Sequence, residues 1–279
     1  RAKSRLEKIR ALKAELEAET REQAEARKLE SQEDQQVEAA VAEMASIEAA
    51  HRAKDGDSDS DDGPPTPPTS ATPEALPLHQ VPTGKNGEPD PKAQRNFTDA
   101  DSRIMKAGDG YVQGYNAQAA VDEAHQIIVA QGLSNQPPDA QYLIPMLDRV
   151  VDNCGAVPRN ATADAGYASE ANIARAACRR VDLHVATGRT KHGEAGETGR
   201  SPPTGQGTLR AQMREKLATP EGAKIYSRRK AIVEPVFGQI KNRGFRQFLL
   251  RGLEKVAGQW SLITLTHNLL KLHLATIAA

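Results

Sequence analysis

Along the first 54 residues, apolar side chains return at helical intervals on a background of Ala, Glu, Lys, Arg and Gln, with no Gly or Pro. Leu6, Ile9, Leu12 and Leu16 trace one stripe, and Val37, Val41, Met44 and Ile47 trace another. Ala and the straight-chain residues favour helix most, so the pattern predicts a charged helical spacer over 1–54. Only Leu29 is large and apolar between the stripes, too little for a sustained heptad seam. A homodimer through this segment is the alternative. At residue 55 the pattern stops. Residues 55–95 hold an Asp-Ser run, Pro64-Pro-Thr-Pro-Pro, and further Pro, Gly and Asn. Such a composition buries too little apolar surface to offset chain entropy and predicts a disordered linker. The Asp-Ser run lacks the closing Glu and flanking helices of a calcium loop.

From Asn96 the periods alternate. Residues 114–122 and 126–131 read as strands joined by a polar turn from Asp122 to His125. Leu143, Met146, Leu147, Val150 and Val151 recur at helical spacing within 139–153, and 160–163 is a short strand ending at Asp164. Ser169 caps a helix whose inward face is expected to include Ile173 and Ala177. A strand follows over 181–186, then a Gly- and Pro-rich insertion over 188–207 that is expected to be mobile. Helices are predicted over 209–218, 221–241 and 254–275, with an irregular turn around Gly244. Pro235 inside the second of these would cost about 3 kcal/mol, so a new helix begins near Glu234 or the helix kinks there. The alternation predicts a layered α/β domain over 96–279, with Ile127, Ile128, Val129, Leu147 and Val185 in its core.

Composition changes this picture in a few places. The chain has 279 residues, of which 38% are hydrophobic and 4% aromatic, so less is packed than the length suggests. The formal net charge is zero, but residues 1–62 carry 17 acids against 11 Lys and Arg, whereas 209–255 carry 12 Lys and Arg against 4 acids. A basic segment on a neutral chain points to a phosphate-bearing partner. Cys154 and Cys178 form neither a CxxC nor a zinc pattern, which fits a reduced, cytoplasmic protein. The chain opens on Arg1 within a helical pattern, so its natural start is expected upstream. From Trp260 on, Leu and Ile are frequent but His267, Asn268, Lys271 and His273 interrupt them, which predicts a buried amphipathic helix rather than a membrane span.

The candidate chemistry lies in two carboxylates. Asp164 closes a strand within Ala163-Asp-Ala-Gly-Tyr167, and Glu234 stands seventy positions on within a basic segment. Carboxylates brought together beside a basic surface suit a Mg²⁺ site acting on a phosphate backbone. The plainer readings are that Asp164 accepts backbone N–H groups in a turn, and that Glu234 pairs with Arg229 or Lys230. Arg228, Arg229, Lys230, Lys241, Arg243 and Arg246 flank Glu234, with Arg251 beyond, and Phe237, Phe245 and Phe248 lie among them. This interleaving suggests DNA contact as much as a solvated helix face.

Asn96–Met105, Gly114–Asp122, Ala163–Tyr167, Val233–Gly238 and Arg243–Gly252, extended by Thr266-His-Asn-Leu269, resemble successive blocks of bacterial insertion-sequence transposases of the IS1182 group, of the DDE class related to IS4 and IS5. The resemblance covers about residues 92–275. It implies a ribonuclease-H-like fold in which two Asp and one Glu hold two Mg²⁺ or Mn²⁺ ions, with DNA (element ends and target) as partner. The second Asp falls on Asp164 and the Glu on Glu234, as catalytic residues and metal ligands, and the basic cluster from Arg228 to Arg246 would hold DNA. The first Asp belongs to an Asp-Gly-Thr strand, and no such sequence occurs here. The expectation is therefore a transposase domain lacking its first strand, a C-terminal portion inactive by itself. The rivals are a non-catalytic DNA-binding or inhibitory remnant, and a different metal nuclease or phosphatase. Residues 188–207 contain no Cys, so no zinc is expected.

Overall fold

The N-terminal pattern forms a helix, α1, over residues 5–28. Leu6 and Ile9 are exposed on it, while Thr20 is buried and its hydroxyl donates to the carbonyl of Leu16 at 2.7 Å. The computed structural model describes residues 5–28, 76–107, 110–188 and 208–278, which fall into two units. One comprises 5–28 with 80–97, and the other 76–79 with the described residues from 98 onward. In the first unit Val81 is buried and its N–H donates to Gln23 Oε1 at 2.8 Å, and Arg95 pairs with Glu19 at 2.8 Å. Residues 76–95, assigned to the linker from composition, thus include ordered chain: Thr83 and Pro89 form an antiparallel bridge, and both Leu76 and Val81 are buried. Composition averages over a segment, whereas two apolar anchors suffice to hold it. The second helical stripe (Val37 to Ile47), linker residues 55–75 and insertion residues 189–207 lie outside the described residues.

The second unit holds three two-stranded sheets. Strands β1 (Arg103–Ala107) and β2 (Gly110–Gly114) pair antiparallel, as do β3 (Asn116–Val121) and β4 (Ile128–Ser134). Strands β5 (Asn160–Ala163) and β6 (Asp182–Val185) pair parallel. The turn between β3 and β4 is organised by Asp122, whose carboxylate accepts the N–H groups of Ala124, His125 and Ile127. Of the five expected core residues, Ile128, Leu147 and Val185 are buried and Ile127 and Val129 half-buried.

A 3₁₀ turn, Asp139–Tyr142, leads into α2 (Leu143–Cys154), which ends at Gly155 in the left-handed region, φ 66°. Helix α2 serves both the β3–β4 and the β5–β6 sheet. Met146 and Val150 pack with Ala130 of β4, while Leu143, Ile144 and Leu147 join Ala163, Leu183 and Val185 of β5 and β6. Each such side chain withdrawn from water contributes about 1.5–3 kcal/mol. Helix α3 (Glu170–Cys178) is capped by Ser169, which accepts from Asn172 N–H. Its buried positions include Ile173 and Ala176; Ala177, expected inward, is exposed. An i,i+3 step keeps to the buried face, whereas i,i+4 here passes its edge.

The predicted helix over 221–241 is two helices. Thr219 ends α4 (Leu209–Ala218) and caps α5 (Pro220–Ser227), with Pro220 at the first helical position. Gly222 is required there, because a Cβ would stand 2.1 Å from the carbonyl oxygen of Lys216. Helix α6 (Arg229–Asn242) restarts at Arg229, and Pro235 sits inside it rather than at its start. Helix α7 (Leu253–Ala278) begins where Asp99 and Asp101 accept the N–H groups of Gly252 and Leu253 at 3.1 and 2.8 Å, anions placed at a helix N-terminus. It packs against β4 through buried Val256 and Trp260. The expectation of a buried helix holds for one side only, since Leu262, Leu265, Leu269 and Leu272 are each more than half exposed. No described helix is long and apolar enough to cross a membrane.

Candidate active site

A cleft of about 870 Å³ opens between the β3–β4 and β5–β6 sheets. Consecutive residues of β3, Ala117 to Val121, form one wall, and Asn160 to Ala163 of β5, with Asp164, form the other. Helix α2 supplies the floor through Leu143, Met146, Leu147 and Val150. Ile225 of α5 and Ile232, Val233 and Phe237 of α6 line the opposite face, with Arg228 and Arg229 at the cleft's charged margin.

Asp164 follows β5 directly, so the sheet presents it at the strand's C-terminal end, where open α/β sheets place their ligands. Its Oδ1 accepts Gly166 N–H at 2.8 Å and caps the 3₁₀ turn Ala165–Tyr167. This turn brings a second carboxylate close. A Cβ on Gly166 would stand 3.0 Å from Asp164 Oδ1 and 3.1 Å from Asp139 Oδ2, so both side chains border the same small space. Asp139 Oδ1 accepts from the amides of Asn116 at 2.9 Å and Gln118 at 3.2 Å. Asn116 and Gln118 are two apart on β3 and share a face. The Tyr167 hydroxyl donates to Gln118 Oε1, and burial, then the charges of Asp139 and Asp164, holds that phenol well above its ordinary range. Tyr167, Gln118, Asn116 and Asp139 thus form one hydrogen-bonded chain beside Asp164. None of the four was singled out from sequence. Only the spacing of Asn116 and Gln118 and the nearness of Tyr167 to Asp164 carry any signal in the sequence.

Glu234 is exposed on α6, outside the residues that line the cleft, and makes no hydrogen bond or ion pair among the described residues. With about 100° per residue it lies roughly 60° round the helix from Phe237, on the flank of the cleft-facing side. Among the described residues no group of three or more His, Cys, Asp or Glu is gathered to hold a metal ion.

The basic residues divide. Arg228 is exposed and ion-paired with Glu123; Arg229 is half-buried with its guanidinium 5.6 Å from the Tyr226 ring centroid. Lys230, Lys241, Arg243 and Arg246 are exposed. The phenylalanines among them do not share that surface. Phe237 stacks on Trp260 at 6.2 Å, and Phe245 and Phe248 pack edge-on at 5.2 Å beside the same indole. Phe237 turns inward from α6, and Phe245 and Phe248 turn inward from the irregular segment after it, while the basic residues between them face water. Similarly, His267 bonds the carbonyl of Gln126, and Asn268 bonds both N–H and C=O of Ile128 at 2.9 Å. These two residues tie α7 to the β3–β4 hairpin.

Alternating sheets and helices around a cleft, with a strand-end aspartate and a basic helix at its margin, define an α/β protein. Residues 78–269 match the transposase DDE domain, and the chain belongs to that family. Transposases are a DNA-cleaving and DNA-transferring class of enzyme and generally use divalent metal ions. No curated protein and no solved structure matches the chain.

Proposed function

We propose that the chain is the ribonuclease-H-like part of a DDE transposase of the IS1182 group, which cuts and joins the DNA ends of an insertion sequence. The observation that carries this reading is Asp164 at the end of β5, in a cleft shared with Arg228 and Arg229 inside the matched region. Asp164 and Glu234 are assigned as the catalytic carboxylates and metal ligands. Arg228, Arg229, Lys230, Lys241, Arg243 and Arg246 are assigned to the DNA backbone, where each neutralised phosphate releases a counterion.

Two Mg²⁺ or Mn²⁺ ions are the cofactor that this reading implies. The carboxylates gathered at the cleft's end are Asp164 and Asp139, and Asp139 already accepts two amides. With Glu234 on the flank, the described residues by themselves do not fit a two-ion site. Their own work is to bind and orient the phosphate backbone. That shortfall favours a second reading, a DNA-binding remnant that does not catalyse. Duplex DNA carrying the element's ends separates the two. Binding that weakens in EDTA, with strand joining gained when an Asp-Gly-Thr strand is supplied and lost again in Glu234→Gln, supports the enzyme. Binding indifferent to EDTA, with no joining in Mn²⁺ even when that strand is supplied, supports the remnant. No DNA binding at moderate salt would overturn both.

A further inference from the structure

Helix α7 has two unlike sides. On the inner side Val256, Trp260, Thr264 and His267 are buried. From it Trp260, His267 and Asn268 bond the backbone of β3, of the hairpin turn and of β4. Leu262, Leu265, Leu269 and Leu272 follow one another at three, four and three residues on the opposite side, and they are 52–65% exposed. None of the four belongs to the described hydrophobic cores. Their spacing is the a and d pattern of a helix that packs against another helix.

That side also lacks charge. Histidines apart, the one ionic residue of α7 beyond Lys255 is Lys271, which is half-buried and donates to Gln126. A helix side left to water normally carries charged residues. The apolar patch continues past the helix, because Gln259 Oε1 accepts the N–H groups of Leu249 and Leu250 at 3.1 and 3.2 Å. These two leucines are 75% and 48% exposed. A pocket of about 230 Å³, lined by Leu262, Ile263 and Phe245 among others, opens alongside. Together the six leucines expose on the order of 600 Å² per copy, near the upper end for a monomer's largest apolar patch and close to the ~800 Å² each partner buries in a specific interface. No residue of α7 lines the cleft, so a strand added there leaves this side open.

The spacing and the missing charge select the partner. Turned antiparallel about a two-fold axis level with residue 267, α7 sets Leu262 against Leu272 of a second copy and Leu265 against Leu269. Every leucine then meets a leucine, the self-complementarity that an isologous contact requires. No like charges meet, since Lys255 falls beyond the stripe and Lys271 turns inward. The stripe from Val37 to Ile47 suits this face less, because Glu38 and Glu43 stand within it and would find no cation here. Packing on β4 already holds α7 helical, so pairing bears no cost of helix nucleation.

We propose that the outer side of α7 is a homodimer contact, in which two copies of this chain pair antiparallel through Leu262, Leu265, Leu269 and Leu272, with Leu249 and Leu250 at the rim. This surface is distinct from residues 1–54. It goes beyond the transposase reading and holds whether or not the chain cuts DNA.

The test is sedimentation equilibrium of the full 279-residue chain without DNA, over roughly 1–100 µM. Expected is a rise with concentration from 30.1 kDa toward twice that mass. Leu265→Lys and Leu272→Lys should each weaken dimerisation roughly tenfold or more, with circular dichroism unchanged because both positions are exposed. Should lysine unfold the chain, Leu265→Ala and Leu269→Ala, which keep the helix, take its place with the same expected direction. Leu262→Glu combined with Leu272→Lys sets opposite charges against each other in the antiparallel pair, so this double variant should dimerise more tightly than Leu272→Lys alone. In a parallel pair it would set like charges together and associate less. Leu6→Lys with Ile9→Lys on α1 should change nothing. A single 30.1 kDa species at the highest concentration overturns the contact and leaves the face to a segment of the same chain or to another protein. Assembly beyond two copies, a double variant no tighter than the single one, or association lost in the α1 variant but kept in the α7 variants also overturns it. Because DNA is absent, failure of the transposase reading would leave this result standing.

Discussion

The side-chain amide of Gln126 donates to the carbonyl oxygen of Ala231 at 3.1 Å, four residues before Pro235. In an uninterrupted helix that carbonyl would accept the N–H of residue 235, which proline lacks. The hairpin turn thus supplies from outside the donor that α6 lost. Gln126 itself has a positive φ of 59°, and it also receives Lys271 Nζ at 3.0 Å and, on its carbonyl, His267.

This relationship predicts a coupling. Gln126→Ala should destabilise the protein by about 1–2 kcal/mol, the net value of one or two hydrogen bonds. In a Pro235→Ala background the same change should cost less, because the helix regains its own donor. Urea denaturation of both single variants and the double variant gives the coupling energy; equal costs in the two backgrounds would show that Gln126 does not serve the Pro235 gap.

Gly166→Ala places a methyl group 3.0 Å from Asp164 Oδ1 and 3.1 Å from Asp139 Oδ2. Both carboxylates must move, and Asp139 is held by two amides. The expected loss is about 1–3 kcal/mol, as for other overpacked sites, seen as a lower thermal midpoint. An unchanged midpoint would mean that the space between the carboxylates is freely adjustable.

Acid should weaken the fold as pH falls below 6.5. His184 is buried, and burial first, then the Lys216 charge, lowers its pKa below 6.5. His79 is lowered in the same direction, by burial and then by Arg103. The unfolded chain binds these protons near pH 6.5 and the folded one only at lower pH, so stability is full above 6.5 and declines as pH falls from there toward the folded values. Denaturation midpoints measured across that window should drop, and His184→Gln should flatten the dependence. A midpoint that rises with acid would contradict the assignment.

For DNA, Arg243→Ala and Arg246→Ala should each weaken binding and reduce the slope of log affinity against log salt by about one unit. Both side chains are exposed, so stability should stay within about 0.5 kcal/mol. Weakened binding at an unchanged slope would remove these residues from the phosphate path.

Periodicity by itself placed β3 to β6, α2, α3, α4 and α7, because their apolar positions repeat at the period of the element that buries them. Capping by Ser169 and the Asp122 turn were equally local. The basic character of α6 and the candidate carboxylates Asp164 and Glu234 could also be read from residue order. What tertiary structure decided was company. Asp139 stands beside Asp164 only because a 3₁₀ turn and the start of α2 fold back on the end of β5, across twenty-five residues of sequence. The phenylalanines of the basic segment belong to Trp260 rather than to the wet surface, and Pro235 is tolerated because Gln126, from a distant turn, reaches Ala231. The pairing of β5 with β6, nineteen residues on, is decided in the same way. Strand propensity is set by neighbours along the chain, whereas pairing is set by which backbones the packed helices bring side by side.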